Sequence, residues 1–135
     1  MSGKGIIWNM RKNILSPSIL SADCTRLGEQ IRETAQAGAE YLHIDVMDGT
    51  FVPNFGLGVD YIRGLRQLTS IPLDIHLMVK DPEYKFQWIG IQPTDTVSIH
   101  YESTFQVQRA LDYLEQYGCK RFLAINPQHF VLYAL

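Results

Sequence analysis

Cysteine is scarce. Cys24 and Cys119 are the only two, and their separation fits neither a metal knuckle nor a redox pair. Both are expected to behave as small apolar residues. Charge is also low: charged residues make up 19% of the 135-residue chain and the formal net charge is −2. That gives no basic excess for nucleic acid or a membrane surface. No apolar run approaches the roughly 20 residues that span a bilayer. The N-terminal MSGKGIIWNMRKN lacks the apolar core and small-residue cleavage site of a signal peptide. The expected location is therefore cytoplasmic. No P-loop, dinucleotide glycine motif or nucleophile elbow is present. Linkers, low-complexity tracts and repeats are absent as well, so one domain is expected, over residues 13–135, behind a loose N-terminal extension at 1–12.

Residues 41–54, YLHIDVMDGTFVPN, organise what is there. Leu42, Ile44 and Val46 alternate with His43, Asp45 and Met47, which is strand periodicity. His43 and Asp45 therefore share a face, and Asp48-Gly49 ends the strand with a turn. The plainer reading of this stretch is a solvated His/Asp face on an edge strand.

The pattern then repeats. Residues 13–18 (NILSPS) predict a first strand, with Pro17 and Ser18 at its end. Asp23 is the expected N-cap of a helix carrying Leu27, Ile31, Thr34 and Ala35, with Gly38 just past its end. Val59, Ile62, Leu65 and Leu68 mark a second helix. Residues 72–79 (PLDIHLMV) predict a third strand with Asp74, His76 and Met78 on one face. After the Asp81-Pro82 turn, a short helix is expected at 84–89, and a fourth strand at 96–101 with Ser98 and His100 on one face. Val107, Ala110, Leu111 and Leu114 form the next helix, closed by Gly118. A fifth strand follows at 121–125, then Asn126-Pro127 and a tail that could begin a fifth helix. Strand and helix alternate every 25 to 30 residues or so, which implies βαβ units and a parallel sheet.

In parallel α/β folds, sites gather at the carboxyl ends of strands. Ser18, His43, Asp45, His76 and His100 all fall there on this reading. A single strand histidine is more often a hydrogen-bonded structural residue. Two imidazoles and a carboxylate at equivalent depth, however, make a set suited to zinc, iron, cobalt or manganese. His100 reads equally well as a partner that hydrogen-bonds this set. Asp74 lies deeper and reads as structural, Met47 and Met78 read as packing, and His129 is assigned nothing.

Several segments closely resemble the ribulose-phosphate 3-epimerase family. They are SPSILSAD (16–23), HIDVMDGTFVPN (43–54) and LDIHLMV (73–79), with IHYE (99–102) and Asn126-Pro127 matching more loosely. The resemblance implies a TIM (β/α)8 barrel that interconverts D-ribulose 5-phosphate and D-xylulose 5-phosphate in the pentose phosphate pathway. It implies His43, Asp45 and His76 as ligands of one divalent ion, zinc, iron(II), cobalt or manganese. Asp45 would also be the proton acceptor, and Ser18 and His76 would contact substrate. Related epimerases acting on other ketose phosphates, such as allulose 6-phosphate, share much of this pattern.

The chain departs from the family at its end. A full barrel takes roughly 200 residues or more, and about the first five βα units are expected here. The second catalytic acid, an aspartate on a later strand in the family, has no counterpart, and neither has the late phosphate site. Gln128-His129-Phe130 also replaces the usual turn-forming run. A shortened or frame-disrupted member, or a piece of one, is the expectation. Open strand edges then predict instability or self-association and little turnover. A non-catalytic partial barrel is the alternative of a different class.

Overall fold

The alternating strands and the amphipathic stretches between them assemble as their periodicities require. The structure, a computed structural model, describes residues 13–127. The expected extension at 1–12, the helix in the tail and His129 lie outside the described residues. β1 (Leu42–Met47), β2 (Leu73–Met78), β3 (Thr96–His100) and β4 (Lys120–Ala124) form a 4-stranded sheet in that order. Every pairing is parallel. The crossovers carry α2 (Val59–Leu68), α3 (Phe86–Ile89) and α4 (Val107–Glu115), and α1 (Leu27–Gln36) precedes β1.

One face of the sheet is the core. Ile44, Leu73, Ile75, Leu77, Val97 and Ile99 are fully buried on it, beneath Ile62 and Leu65 of α2 and Ala110 and Leu114 of α4. Each such aliphatic side chain contributes about 1.5–3 kcal/mol. The opposite face carries His43, Asp45 and Met47, then Asp74, His76 and Met78, then Thr96, Ser98 and His100. β1 and β2 thus have the two-sided patterning read from their sequences. Among the described residues no helix is long and apolar enough to cross a membrane.

Residues 13–18 do not form the strand expected of them. They lie along β1 with one isolated bridge, Ser18 to His43. Pro17 O accepts from His43 N at 2.9 Å and Leu15 O accepts from Tyr41 N at 3.2 Å. The next rung would need an N–H at position 17 to donate back to Tyr41, and proline has none. Asp23 is not the cap of α1 either. The helix begins four residues on, with Arg26 as N-cap and no side-chain cap bond. Asp23 instead closes a local turn, accepting from Thr25 N at 2.9 Å and Thr25 Oγ1 at 2.6 Å, the usual competition between short polar side chains and helix backbone. The helix expected at 84–89 splits into a 3-10 turn (Pro82–Tyr84) and α3. Residue 101 leaves β3 to open a second 3-10 turn (Tyr101–Ser103).

Two glycines are required by the backbone. Gly38 sits at φ +91° and completes a Schellman cap on α1: its N–H donates to Ala35 O, and Ala39 N–H donates to Thr34 O. A Cβ on Gly56 would lie 2.6 Å from Asp45 O, so only glycine lets the loop after β1 return against that strand.

A buried ion pair fastens the bottom of the sheet. Asp95 is fully buried, and Arg66 of α2 grips both its oxygens, at 2.9 and 2.5 Å. Leu73 N and Gln92 N donate to the same carboxylate at 3.0 and 2.7 Å. Both carboxylate oxygens of Asp95 are thus hydrogen-bonded, and removing Arg66 would strand the charge at a cost of about 3–5 kcal/mol.

Candidate functional site

Because the neighbours of His43, Asp45 and His76 on each strand are buried on the helix side, these three project from the other face. The parallel register sets Asp45 directly beside His76 and His43 beside Asp74. One ligand atom from each of His43, Asp45 and His76 then lies within 4.8 Å of the others. His43 Nε2 is 3.3 Å and His76 Nδ1 3.4 Å from Asp45 Oδ1, so both imidazoles converge on one carboxylate oxygen. Among the described residues this is the one group of three or more such side chains that could hold a metal ion.

The other atoms of the three are held from outside. Ser18 Oγ donates to Asp45 Oδ2 at 3.0 Å while accepting from Leu20 N at 3.2 Å. His43 Nδ1 is 2.8 Å from Asp74 Oδ2, which also accepts from Ser16 Oγ at 3.0 Å. His76 Nε2 is 2.8 Å from His100 Nε2, and the two rings lie nearly parallel with centroids 5.0 Å apart. Phe51 also packs on His100, with ring centroids 5.0 Å apart. Burial pulls the His76 pKa below the ordinary histidine value; nearby His100 and His43 add to this, and Asp45 opposes it. His100 is likewise lowered by burial, against the pull of Glu102. Neutral imidazoles are the form that can offer a lone pair to a metal.

The structure therefore brings Ser18, His43, Asp45, His76 and His100 together, the last four from strands and Ser18 from a segment that pairs with β1 by a single bridge. Asp74 lies one rung below Asp45, as expected for a deeper residue, yet it binds His43 directly. Met47 and Met78 lie opposite each other one rung above the site. Cys119 is buried, with its thiol pKa raised by that burial, whereas Cys24 is exposed.

Two residues carry more than the sequence reading allotted. Glu102 stands 3.6 Å from His100 Nδ1 through Oε2 and accepts from Asn126 N at 2.8 Å through Oε1. Its signal was the His-x-Glu spacing within IHYE. Asp48 was taken only as half of a turn. Its Oδ1 accepts from Thr50 N and Phe51 N, both at 2.9 Å, and its Oδ2 accepts from Lys80 N at 2.8 Å. It thereby ties the loop after β1 to the end of β2. Lys80, two residues past β2, is 32 residues away, beyond any local pattern.

Comparison with known proteins places the chain among its relatives. The model of the ribulose-phosphate 3 epimerase family matches residues 14–134. A chloroplastic ribulose-5-phosphate-3-epimerase of Arabidopsis thaliana is 41% identical over 116 residues, which cover 84% of this chain and 41% of that protein. The ribulose-phosphate 3-epimerase of Bacillus subtilis (strain 168) is 37% identical over 113 residues, covering 84% and 52%. That of Synechocystis sp. is 41% identical over 121 residues, covering 87% and 53%. The chain spans about half the length of the curated relatives it matches. With its parallel α/β sheet and these matches, the chain belongs to the ribulose-phosphate 3-epimerase family.

Proposed function

We propose that this chain carries the ion-holding and proton-abstracting half of an epimerase that acts at C3 of a ketose phosphate, with D-ribulose 5-phosphate and D-xylulose 5-phosphate as the pair. The observation that carries the reading is the convergence of His43 Nε2 and His76 Nδ1 on Asp45 Oδ1 at the carboxyl ends of adjacent parallel strands. The donor set fits a divalent first-row ion, because it offers two imidazole nitrogens and one carboxylate oxygen within 4.8 Å. Zinc, iron(II), cobalt and manganese all suit it. When bound, such an ion supplies positive charge that stabilises the oxygens of an enediolate.

The chain's own residues do the rest. A C3 proton next to the C2 carbonyl is removed by Asp45, whose carboxylate is oriented by the Ser18 hydroxyl. On this reading Ser18 and His76 also meet substrate; Ser18 is exposed and bonded to Asp45, and His76 stands 3.4 Å from the same carboxylate. Inversion needs a second acid on the opposite face of the planar intermediate. The described residues place one carboxylate, Asp45, among the three converging groups. The 135-residue chain by itself is therefore expected to exchange the C3 proton with solvent faster than it inverts that carbon.

The test incubates the purified chain with ribulose 5-phosphate in deuterium oxide, with zinc, iron(II), cobalt or manganese added, and follows C3 deuteration and xylulose 5-phosphate by NMR. Allulose 6-phosphate is run alongside. Deuteration that is metal-dependent and lost in Asp45→Asn supports the reading; deuteration equal in native and Asp45→Asn chains overturns it. A second reading, a non-catalytic module that associates with itself, is favoured by the edge of β4, which pairs on one side only among the described residues and exposes Phe122 and Leu123. That reading predicts neither deuteration nor inversion.

A further inference from the structure

The two converging imidazoles present different nitrogens. His43 turns Nε2 toward Asp45 Oδ1, and His76 turns Nδ1 toward the same atom. To offer those nitrogens to an ion, each ring must carry its proton on the opposite nitrogen, so the two rings need opposite tautomers. For His43 the reason is immediate. Asp74 Oδ2, 2.8 Å from Nδ1, accepts that proton and leaves Nε2 with its lone pair.

For His76 the neighbour is another imidazole, which could be donor or acceptor. His76 Nε2 and His100 Nε2 are 2.8 Å apart, so one of them donates and the other accepts. The choice is made one ring further out. His100 Nδ1 is buried and has no hydrogen-bond partner, and Glu102 Oε2 stands 3.6 Å from it. A lone pair aimed at a carboxylate is repelled, whereas an N–H is attracted. Glu102 thus places the proton of His100 on Nδ1, which makes His100 Nε2 an acceptor. His76 Nε2 must then donate, and its Nδ1 keeps the lone pair an ion needs, against the attraction of Asp45 Oδ1, 3.4 Å away, for an N–H there. Glu102 is itself fixed, because Oε1 accepts from Asn126 N at 2.8 Å.

We propose that Glu102 is a positioning residue that acts through His100 to set the tautomer of His76, so that Nδ1 of His76 presents its lone pair at the convergence point. The geometry resembles the carboxylate–imidazole pairing of Asp74 and His43, extended by one ring. The proposal rests on the reading of His43, Asp45 and His76 as an ion-holding group.

The first test needs no metal. In the metal-free chain labelled with 15N-histidine, long-range proton–nitrogen correlations separate protonated from lone-pair ring nitrogens. The expected pattern is Nδ1–H for His43, Nε2–H for His76 and Nδ1–H for His100. A His76 proton on Nδ1 overturns the proposal. The second test measures cobalt(II) binding by visible absorption. In Glu102→Gln the amide can still accept from Asn126 N, but it offers an N–H to His100 Nδ1 and reverses the order. Cobalt affinity should fall by roughly 10–100-fold, the usual effect of removing an outer partner of a metal-binding histidine. In His100→Gln, whose side-chain carbonyl accepts from His76 Nε2 without help, adding Glu102→Gln should change nothing. An equal loss in both backgrounds means that Glu102 does not act through His100, and the proposal fails. Cobalt binding that is the same in native and His43→Gln chains would instead overturn the ion-holding reading, while the NMR pattern still decides the tautomers.

Discussion

Asp45 and Asp48 lie three positions apart and do different work, which their surroundings make plain. Asp45 faces two imidazoles and a hydroxyl. Replacing it with asparagine keeps the shape and removes the proposed base, and C3 deuteration should fall by about 10²–10⁴-fold, as for general bases elsewhere. Asp48 is surrounded by backbone donors. Burial alone would raise its pKa, but the N–H groups of Phe51, Lys80 and Thr50, with the charge of Lys85, outweigh it and hold the carboxyl below its ordinary value of 3.8. A depressed carboxyl pKa stabilises the fold above the unfolded value, and that contribution is lost as pH falls through the lower folded value. Urea unfolding measured from pH 5 down to pH 2 should therefore show a steeper acid loss in the native chain than in Asp48→Asn. Parallel curves would mean that the three backbone bonds carry no charge-dependent stability. At this scale the sequence was legible where a residue's role follows from which face it occupies. The shared face of His43, Asp45 and His76 was found that way. Glu102 and Asp48 were not, because each depends on a backbone donor distant in sequence: Asn126 N, just after β4, for the first and Lys80 N, just after β2, for the second.

Elements were legible where one periodicity dominates. In β2, Leu73, Ile75 and Leu77 are buried and Asp74, His76 and Met78 face the other way, with no local feature competing. Residues 13–18 carry a similar alternation, yet a single proline donor missing at position 17 reduces their pairing to one bridge. The start of α1 was misplaced because Asp23 has a nearer partner in Thr25. Its end was placed correctly because the left-handed residue of the cap is a glycine. Gly38 has no atom within 4 Å of an added Cβ, so Gly38→Ala tests conformation alone. The expected loss is roughly 1–2 kcal/mol, the cost of a left-handed conformation for an L side chain, read as a lower urea midpoint with an unchanged slope. No loss would mean that α1 can end without its Schellman cap.

At the scale of the whole molecule, the sheet is covered on one face by helices and partly open on the other. β4 pairs with β3 on one side only among the described residues, and it exposes Phe122, Leu123 and, just after it, Ile125. A bare hydrophobic edge is a template for another strand. Sedimentation velocity should show association that grows with concentration, and Phe122→Lys should shift the chain toward monomer. A native chain that stays monomeric at every concentration would sink this expectation. The strand register described above has one more consequence. His43 and Asp45 belong to β1 and His76 to β2, and a slip of one residue between those strands would turn His76 to the helix side. Only molecules that have paired the two strands correctly offer all three groups to an ion. The stoichiometry of cobalt uptake would then count the correctly paired fraction of a sample, and the candidate site would serve as a gauge of how many chains in the tube have finished folding.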